Sequence, residues 1–398
     1  MSETASLAGG RVVLVAGAAV VPFVRASPLS VDQLAASAIT AVLAETPAFR
    51  SLVEEVYVGS AKGGSLIGQR ALRFADLAVG LPVFNVENAC ASSGVAFHLA
   101  CRAIESGAID CALVVGVDKL SLLGSGALPV QETEWEGAAG VSNPVIYALR
   151  ARRYMHETGA TADDLAAVSV KSRLFGARNP IAQMRSQVTL DEVLGSRSVA
   201  EPLTLLQCSP KSDGAAALVL VSSSCARRLD VSGPRVRASV VRSGTFDLGE
   251  RDIVRPDITA RTSAAAYELA AVGPDDLDVV ELHDAFSIAE LLYTEELGLC
   301  APGDAARVLS EGRTSSLASG GVAVVNPSGG LLSRGHPIGA TGAAQIVECV
   351  QQLRGRSGGR QKDNARLALA HVSGGGASGF DGGACAVTIL EGGDAMRS

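Results

Sequence analysis

The chain is poor in the residues and patterns that mark several common classes of protein. Aromatic residues make up 4% of its 398 residues, with a single tryptophan, and there are only five histidines. The net charge is −7 and no long basic run occurs, which argues against a nucleic-acid partner. The apolar run near the start, residues 12–24, is interrupted by glycine and proline and lacks the flanks of a secretory signal, so we predict a buried strand and no membrane association.

Several catalytic and metal-binding patterns are also missing. The eight cysteines include no Cys-x-x-Cys pair, so the spacing typical of structural zinc is absent and we predict no bound metal. There is no Walker A loop, no Gly-x-Gly-x-x-Gly opening a helix after a first strand, and no Gly-x-Ser-x-Gly elbow. These absences argue against a P-loop site, a dinucleotide site and a serine hydrolase. Cysteines in apolar runs indicate a reducing compartment, so we expect a cytoplasmic protein.

What the chain does contain favours packed α/β layers and an internal repeat. Hydrophobic residues make up 47% of the sequence, and strand-like runs alternate with helical stretches. Three segments of the first half resemble three segments of the second half in the same order. The pairs are residues 52–59 with 277–286, 113–117 with 367–371, and 213–221 with 381–389.

The repeat predicts a division of the chain into two similar α/β halves, residues 1–228 and 229–398, within the polar segment 222–234. Residues of about 119–200 do not fit the repeat, and they contain the only tryptophan and a basic cluster. We expect this segment to be an insertion that folds over the first half as a lid or ligand platform.

Cys90 is the most informative candidate for catalysis. It lies in the run Asn-Ala-Cys-Ala-Ser-Ser-Gly, residues 88–94, where an extended segment turns into a small-residue helix. Unpaired backbone N–H groups at such a helix start favour the thiolate, which is the nucleophilic form. The local sequence alone allows two interpretations, a nucleophile or a small buried packing residue, since free cysteines are commonly buried.

Three of the five histidines lie in unusual surroundings. His336 stands in a turn dense in glycine and proline, residues 326–342, where the backbone approaches another group closely. His283 follows a β run and opens the sequence His-Asp-Ala-Phe, a position suited to a site at the carboxyl end of a strand. We predict functional roles for both. His371 ends another β run, and its role stays open between function and structure.

Together, these motifs resemble those of the thiolase superfamily nearly end to end. The turn around Cys90 resembles the family's nucleophile turn, and residues 335–337 resemble its Gly-His-Pro motif. Residues 283–286 resemble its Asn-Glu-Ala-Phe motif, in the His-Asp form of sterol-carrier-protein-type and archaeal thiolases. Residues 208–216 resemble the segment that closes the first half. The resemblance implies the thiolase fold, two similar α/β halves in five layers, α-β-α-β-α, with an inserted loop domain.

The resemblance also implies an acyl-CoA C-acyltransferase, which forms or cleaves a carbon–carbon bond through an acyl-Cys90 intermediate. His336 would take the proton of Cys90, and both His336 and His283 would hold the thioester oxygen of the second substrate. Backbone N–H groups of Cys90 and Gly374 would stabilise the oxyanion on the acylated cysteine. Ser209 would touch the pantetheine arm of a coenzyme A thioester, which is the substrate; no cofactor would be bound permanently.

The nucleotide end of coenzyme A would lie on the insertion. Its phosphates need cationic side chains, and the sequence offers two groups between which it does not decide. These are Arg150, Arg152 and Arg153, or Lys171, Arg173 and Arg178.

One departure from the family pattern bears on the chemistry. Most thiolases carry a second cysteine near the C-terminus, which removes the α-proton, and the sterol-carrier-type branch carries it in His-Asp-Cys-Phe. Here residues 370–376 contain no cysteine, and the other position is Ala285. Either His336 or His371 could act as the base instead, the acceptor could need little deprotonation, or the enzyme could need a partner.

The family resemblance also suggests partners and alternatives. It implies a homodimer or homotetramer, and archaeal-type relatives that lack the second cysteine work beside a small OB-fold protein. Two other functions fit the motifs: a thiolase-fold acyltransferase of secondary metabolism that acts on a non-CoA acceptor, and a non-catalytic partner subunit of a thiolase-type complex. The presence of Cys90 argues against the last.

Overall fold

The computed structural model describes most of the chain, and its strands and helices alternate through both halves. The described residues are 11–75, 77, 80–124, 126–128, 135–245, 252–255, 257–320, 322–376 and 382–392. The strands are β1 (Val13–Val20), β2 (Glu55–Gly59), β3 (Val83–Val86), β4 (Cys111–Lys119), β5 (Ser198–Ala200), β6 (Leu203–Thr204), β7 (Asp213–Ser222), β8 (Arg235–Ser243), β9 (Val279–Glu281), β10 (Val324–Val325), β11 (Leu367–Gly376) and β12 (Gly382–Glu391). The α-helices are α1 (Val31–Glu45), α2 (Ile67–Leu72), α3 (Ser92–Glu105), α4 (Trp135–Ala138), α5 (Asn143–Thr158), α6 (Ala162–Ala177), α7 (Leu190–Leu194), α8 (Ser223–Arg228), α9 (Asp257–Ala270), α10 (Ser287–Glu296), α11 (Ala305–Ser310), α12 (Gly330–Arg334) and α13 (Thr341–Leu353).

The ten strands other than β5 and β6 form a mixed sheet with an internal repeat. Its order is β10-β9-β11-β12-β8-β1-β7-β4-β2-β3. The strands of the first half (β1, β2, β3, β4 and β7) and those of the second half (β8 to β12) form two sets of five. Counted along the chain within each set, the order from the sheet edge to the centre is third, second, fourth, fifth, first. In both sets the second strand pairs in parallel with the third and the fourth, and the fifth pairs antiparallel with the fourth and the first. The sets join through one residue pair, Leu14 with Arg235. The repeat read from the sequence is confirmed, and the division at residue 228 stays a prediction.

Side chains alternate between the two faces of each half of the sheet, so the two halves form two β layers among three helical layers. Leu113 of β4 packs towards α1, whereas Val114 packs towards α3 and α13 in the centre of the molecule. In the second set, Ala368 of β11 faces the same centre and Leu369 packs towards α9 and α10. The period of two along buried strands therefore produces five layers, α-β-α-β-α.

We expected the segment between β4 and β7 to fold over the first half, but its helices α5 and α6 pack mainly against helices of the second half. Ala151 of α5 and Val168 of α6 share an apolar cluster with Leu291 and Leu332 of α10 and α12. A buried ion pair between Lys171 and Glu290 also ties α6 to α10. The apolar faces of α5 and α6 are covered by helices of the second half because those helices offer complementary apolar surface. No helix among the described residues is long and apolar enough to cross a bilayer.

Candidate active site

The turn that carries Cys90 is held by its own backbone and one serine. Ala89 has a φ of +47°, in the left-handed region. The Asn88 N–H donates to Ser92 Oγ at 2.9 Å, and that hydroxyl donates to the Ala89 carbonyl at 2.6 Å. This closed pattern holds Cys90 between β3 and the start of α3, half-buried and facing a cavity.

His336 reaches Cys90 from the equivalent turn of the second half. Gly335 before it has a φ of +113°, which favours glycine, and the His336 N–H donates to Ser212 Oγ at 2.9 Å. Nδ1 of the ring lies 2.8 Å from Thr341 Oγ, and Nε2 lies 3.3 Å from Cys90 Sγ. With the hydrogen on Nδ1, donated to Thr341, Nε2 is free to accept the thiol proton.

His283 completes a group of three. Its ring centre lies 5.0 Å from that of His336 at an angle of 79°, and the donor atoms of Cys90, His283 and His336 all lie within 4.8 Å of one another. Nδ1 of His283 is buried without a hydrogen-bond partner among the described residues. Three such donors match the ligand set of a zinc site, so their chemistry allows a metal as well as a nucleophile.

Burial dominates the electrostatics of this group. It raises the pKa of the Cys90 thiol to about 12, against the opposing effects of the Gly375 backbone N–H and of Lys62. Burial, together with the smaller effect of the Arg334 charge, lowers the pKa of His336 to about 3. The resting pair is therefore a neutral thiol beside a neutral imidazole. Burial therefore opposes the thiolate that the N–H groups of the helix start favour.

Gly374 and Gly375 lie against the nucleophile turn. A side chain at Gly374 would meet the Asn88 carbonyl oxygen at 2.2 Å and the Ala91 nitrogen at 2.9 Å, so only glycine fits. Two backbone N–H groups lower the pKa of the Cys90 thiol, that of Gly375 and that of Cys90 itself, whereas the predicted role of Gly374 concerns the oxyanion and stays a prediction. The run of three glycines at 374–376 indicated in the sequence that the backbone here approaches another group closely. Which N–H reaches the sulfur depends on the path of β11 in the fold.

These groups lie in one cavity of about 1260 Å³. All five residues predicted from the sequence line it: Cys90, Ser209, His283, His336 and Gly374. Its described lining includes no aspartate or glutamate and six cationic side chains, which are Arg25, Arg150, Arg173, Arg185, Arg197 and Lys211. Such a wall attracts an anionic ligand.

The cations of this wall differ from those expected. Only Arg150 and Arg173 of the two predicted groups line the cavity. Lys171 instead pairs with Glu290 in the interior. The other four cations were not expected, because they come from separate loops and no local sequence pattern marks them.

His371 does not reach the cavity lining. It is fully buried, with Nε2 3.2 Å from Thr259 Oγ and its ring edge against Tyr293. It therefore cannot touch a substrate, and of the two bases considered only His336 lies in the site. A second thiol, that of Cys208, does line the cavity, beside Phe286.

The sequence matches two family descriptions that together span most of it. Residues 13–224 match "Thiolase, N-terminal domain", and residues 246–381 match "Thiolase C-terminal domain-like". The chain belongs to the thiolase family. The fold expected from the motifs is thereby confirmed, and the protein is an acyl-CoA acyltransferase of the thiolase type, so the two alternative functions are not favoured.

Curated proteins and solved structures agree with this assignment. The chain is 43% identical to benzoylsuccinyl-CoA thiolase subunit BbsB of Thauera aromatica, over 86% of this chain and 89% of that protein. It is 40% identical to an acetyl-CoA acetyltransferase of Methanothermobacter thermautotrophicus, over 85% and 88%. A solved structure titled "Ltp2-ChsH2(DUF35) aldolase" superimposes with a TM-score of 0.83 at 26% identity, over 97% of this chain and 99% of the other.

Proposed function

We propose that this thiolase transfers acyl groups through a thioester on Cys90, with His336 as the general base. The observation that carries the proposal is the distance of 3.3 Å between Cys90 Sγ and His336 Nε2. Both residues lie on the wall of a cavity whose described lining contains arginine and lysine but no aspartate or glutamate. A neutral imidazole at that distance accepts the thiol proton directly, which suits a thiol that burial keeps protonated.

The first step balances as a thioester exchange. As His336 Nε2 takes the proton, the sulfur of Cys90 forms a bond to the thioester carbonyl carbon, and the carbonyl oxygen becomes an oxyanion. We assign the stabilisation of this charge to the backbone N–H groups of Cys90 and Gly374, two residues that line the cavity. The bond to the coenzyme A sulfur then breaks, and the proton on His336 returns to that leaving thiolate.

The second step transfers the acyl group to a carbon acceptor. His336 is again the base, because His371 lies outside the cavity lining. His283, whose pKa burial holds well below its usual value, is a neutral donor to the thioester oxygen of the acceptor. Removal of an α-proton by His336 gives an enolate whose carbon attacks the acyl-Cys90 carbonyl. The Cys90 thiolate then leaves and takes the proton back from His336.

Coenzyme A fits the shape and charge of the cavity. Ser209 lies beside the catalytic loop, where its N–H donates to the Ala285 carbonyl at 2.9 Å, and we assign it to the pantetheine arm. The exposed guanidinium groups of Arg25, Arg185 and Arg197 are placed to meet the phosphates. No permanently bound cofactor or metal is needed for this chemistry.

Mass spectrometry of the intact protein tests the proposal. Incubation with acetyl-CoA should add one acetyl group, and peptide mapping should find it on Cys90 rather than on Cys208. Cys90→Ala should abolish the adduct. Cys300→Ala, which removes a half-buried thiol outside the cavity lining, should leave it intact. Absence of an adduct with every acyl-CoA tried would refute the proposal.

Assembly and location belong to the same proposal. β3 is an edge strand, and Phe84 on it is 44% exposed, which suits pairing of two copies into a homodimer or homotetramer. The names "subunit BbsB" and "Ltp2-ChsH2(DUF35)" describe multi-component relatives and support a small partner protein, for which the OB-fold kind stays our proposal. Eight free cysteines suit a cytoplasmic location. Native mass spectrometry would give the number of copies, and a monomer would refute the dimer.

A further inference from the structure

A cluster of aromatic rings and one guanidinium forms part of the cavity wall. The Tyr147 ring stacks on Phe286 with centres 4.5 Å apart. Arg150, one turn further along α5, places its guanidinium carbon 5.0 Å from the centre of the Tyr147 ring. The hydroxyl groups of Tyr147 and Tyr293 lie 3.3 Å apart. All four side chains line the cavity, and Arg150 is only 5% exposed.

The cluster adjoins the reacting groups rather than the mouth of the cavity. Phe286 follows His283 by three residues on the same loop. The Tyr293 side chain hydrogen-bonds Ser373, the residue before Gly374. The cluster therefore borders both sides of the catalytic group, where an acyl group rather than a phosphate would lie.

Arg150 has a different setting from the cations suited to the phosphates. Arg25, Arg185 and Arg197 are exposed, whereas Arg150 is buried beside aromatic rings. A guanidinium stays charged at any working pH, and its interaction with a carboxylate is strengthened by a water-poor wall. Its planar fork matches the two oxygens of a carboxylate. A phosphate of coenzyme A is held away from this position by the pantetheine arm.

We infer that the acyl subsite of this thiolase selects acyl groups that carry a second carboxylate, which Arg150 binds with the Tyr147 hydroxyl beside it. The inference rests on the proposed acyl-Cys90 chemistry and names the substrate class for that site. The Tyr147–Phe286 stack forms the apolar floor on which the carbon chain between thioester and carboxylate lies.

Two acyl-CoAs of equal chain length test this inference. Succinyl-CoA and butyryl-CoA each present four carbons, and only succinyl-CoA carries the extra carboxylate. We expect Cys90 of the wild-type protein to acylate about 10- to 100-fold faster with succinyl-CoA at equal subsaturating concentrations, as charge-assisted hydrogen bonds give such factors. Quenched samples analysed by intact-protein mass spectrometry give both rates.

Variants on one helix identify the residue responsible. Arg150→Met should lower the ratio of the succinyl rate to the butyryl rate by about 10- to 100-fold. Arg152→Met, two residues away on the exposed face of α5, should keep the wild-type ratio. Tyr147→Phe keeps the ring and removes the hydroxyl, so it should lower the ratio by a smaller factor.

The outcomes separate the two proposals. Acylation by butyryl-CoA without any preference for succinyl-CoA in the wild-type protein would overturn the carboxylate subsite and leave the acyl-Cys90 mechanism standing. A preference that Arg150→Met and Arg152→Met keep equally would also overturn it. Acylation by neither substrate, nor by acetyl-CoA, would overturn both proposals.

Discussion

Replacing His336 by alanine should turn the acylation of Cys90 from a pH-independent into a pH-dependent reaction. In the wild-type protein, burial lowers the pKa of His336 to about 3 and raises that of Cys90 to about 12, so neither group changes charge between pH 6 and 9. Without the imidazole, the thiolate must form by losing its proton to water, and its fraction rises tenfold per pH unit up to its pKa.

The size of the effect follows from the same pKa. A thiol of pKa about 12 is ionised to about one part in 10⁵ at pH 7, because the two values differ by five units. A positioned general base typically contributes about 10²- to 10⁴-fold. We therefore expect His336→Ala to acylate about 10²- to 10⁴-fold more slowly at pH 7, and the loss to shrink as the pH rises.

Single-turnover acylation by acetyl-CoA, quenched and followed by mass spectrometry from pH 6 to 9, measures both quantities. The logarithm of the rate should be flat in the wild-type protein and should rise with a slope near one in His336→Ala. His156→Ala, which removes an exposed histidine of α5, should behave as the wild type. A wild-type rate that itself climbs tenfold per pH unit would refute the neutral-pair reasoning, and so would a flat profile in His336→Ala with a rate near that of the wild type.

Three further changes probe the same site. Thr341→Val removes the hydroxyl 2.8 Å from His336 Nδ1 and should lower kcat about tenfold with little change in KM. Thr341→Ser keeps a hydroxyl and should retain the wild-type kcat. Equal losses of kcat in both variants would contradict a positioning role for this hydroxyl. Gly374→Ala places a methyl group 2.2 Å from the Asn88 carbonyl oxygen, so it should reduce both the melting temperature and the rate of Cys90 acylation. In the control Gly273→Ala, the nearest atom to the new methyl group lies at 3.8 Å, so neither quantity should change. Thermal melts and acylation rates measure both variants. Zinc ions should inhibit acylation reversibly by binding the three donors that lie within 4.8 Å of one another, and titration with a chelator should restore the rate. Zinc that binds Cys90→Ser as tightly as the wild type, measured by competition with a chelator, would place the metal elsewhere.

The sequence predicted those features that depend on local chemistry. The turns around Cys90 and His336 are dense in small residues, and such turns are required wherever a backbone comes close to another group. The internal repeat was also readable, and the two halves of the sheet do share one strand order, although the order itself was not predicted. The position of the insertion could not be predicted, because it depends on apolar faces of α10 and α12 that lie more than a hundred residues away.

Charge gave the least reliable predictions. Lys171 looks from the sequence like a phosphate ligand, but it pairs in the interior with Glu290, 119 residues later. Arg25 and Arg197 carry no local signal, and the fold brings them to one cavity. Similarly, a helix start suggested a thiolate at Cys90, whereas the pKa depends on how much water the finished fold leaves around the sulfur.

The distance between sulfur and imidazole is set by the contact between the two halves. A side chain on Gly342 of α13 would meet the Gly94 nitrogen of α3 at 2.8 Å, so the first turns of the two helices touch backbone to backbone. The Ala343 N–H also donates across this contact to Ser93 Oγ at 2.9 Å. Cys90 and His336 stand just before these helices, so any change that separates α3 from α13 separates the reacting pair. The same contact therefore fixes the two turns from which the sulfur and the imidazole face each other across the cavity.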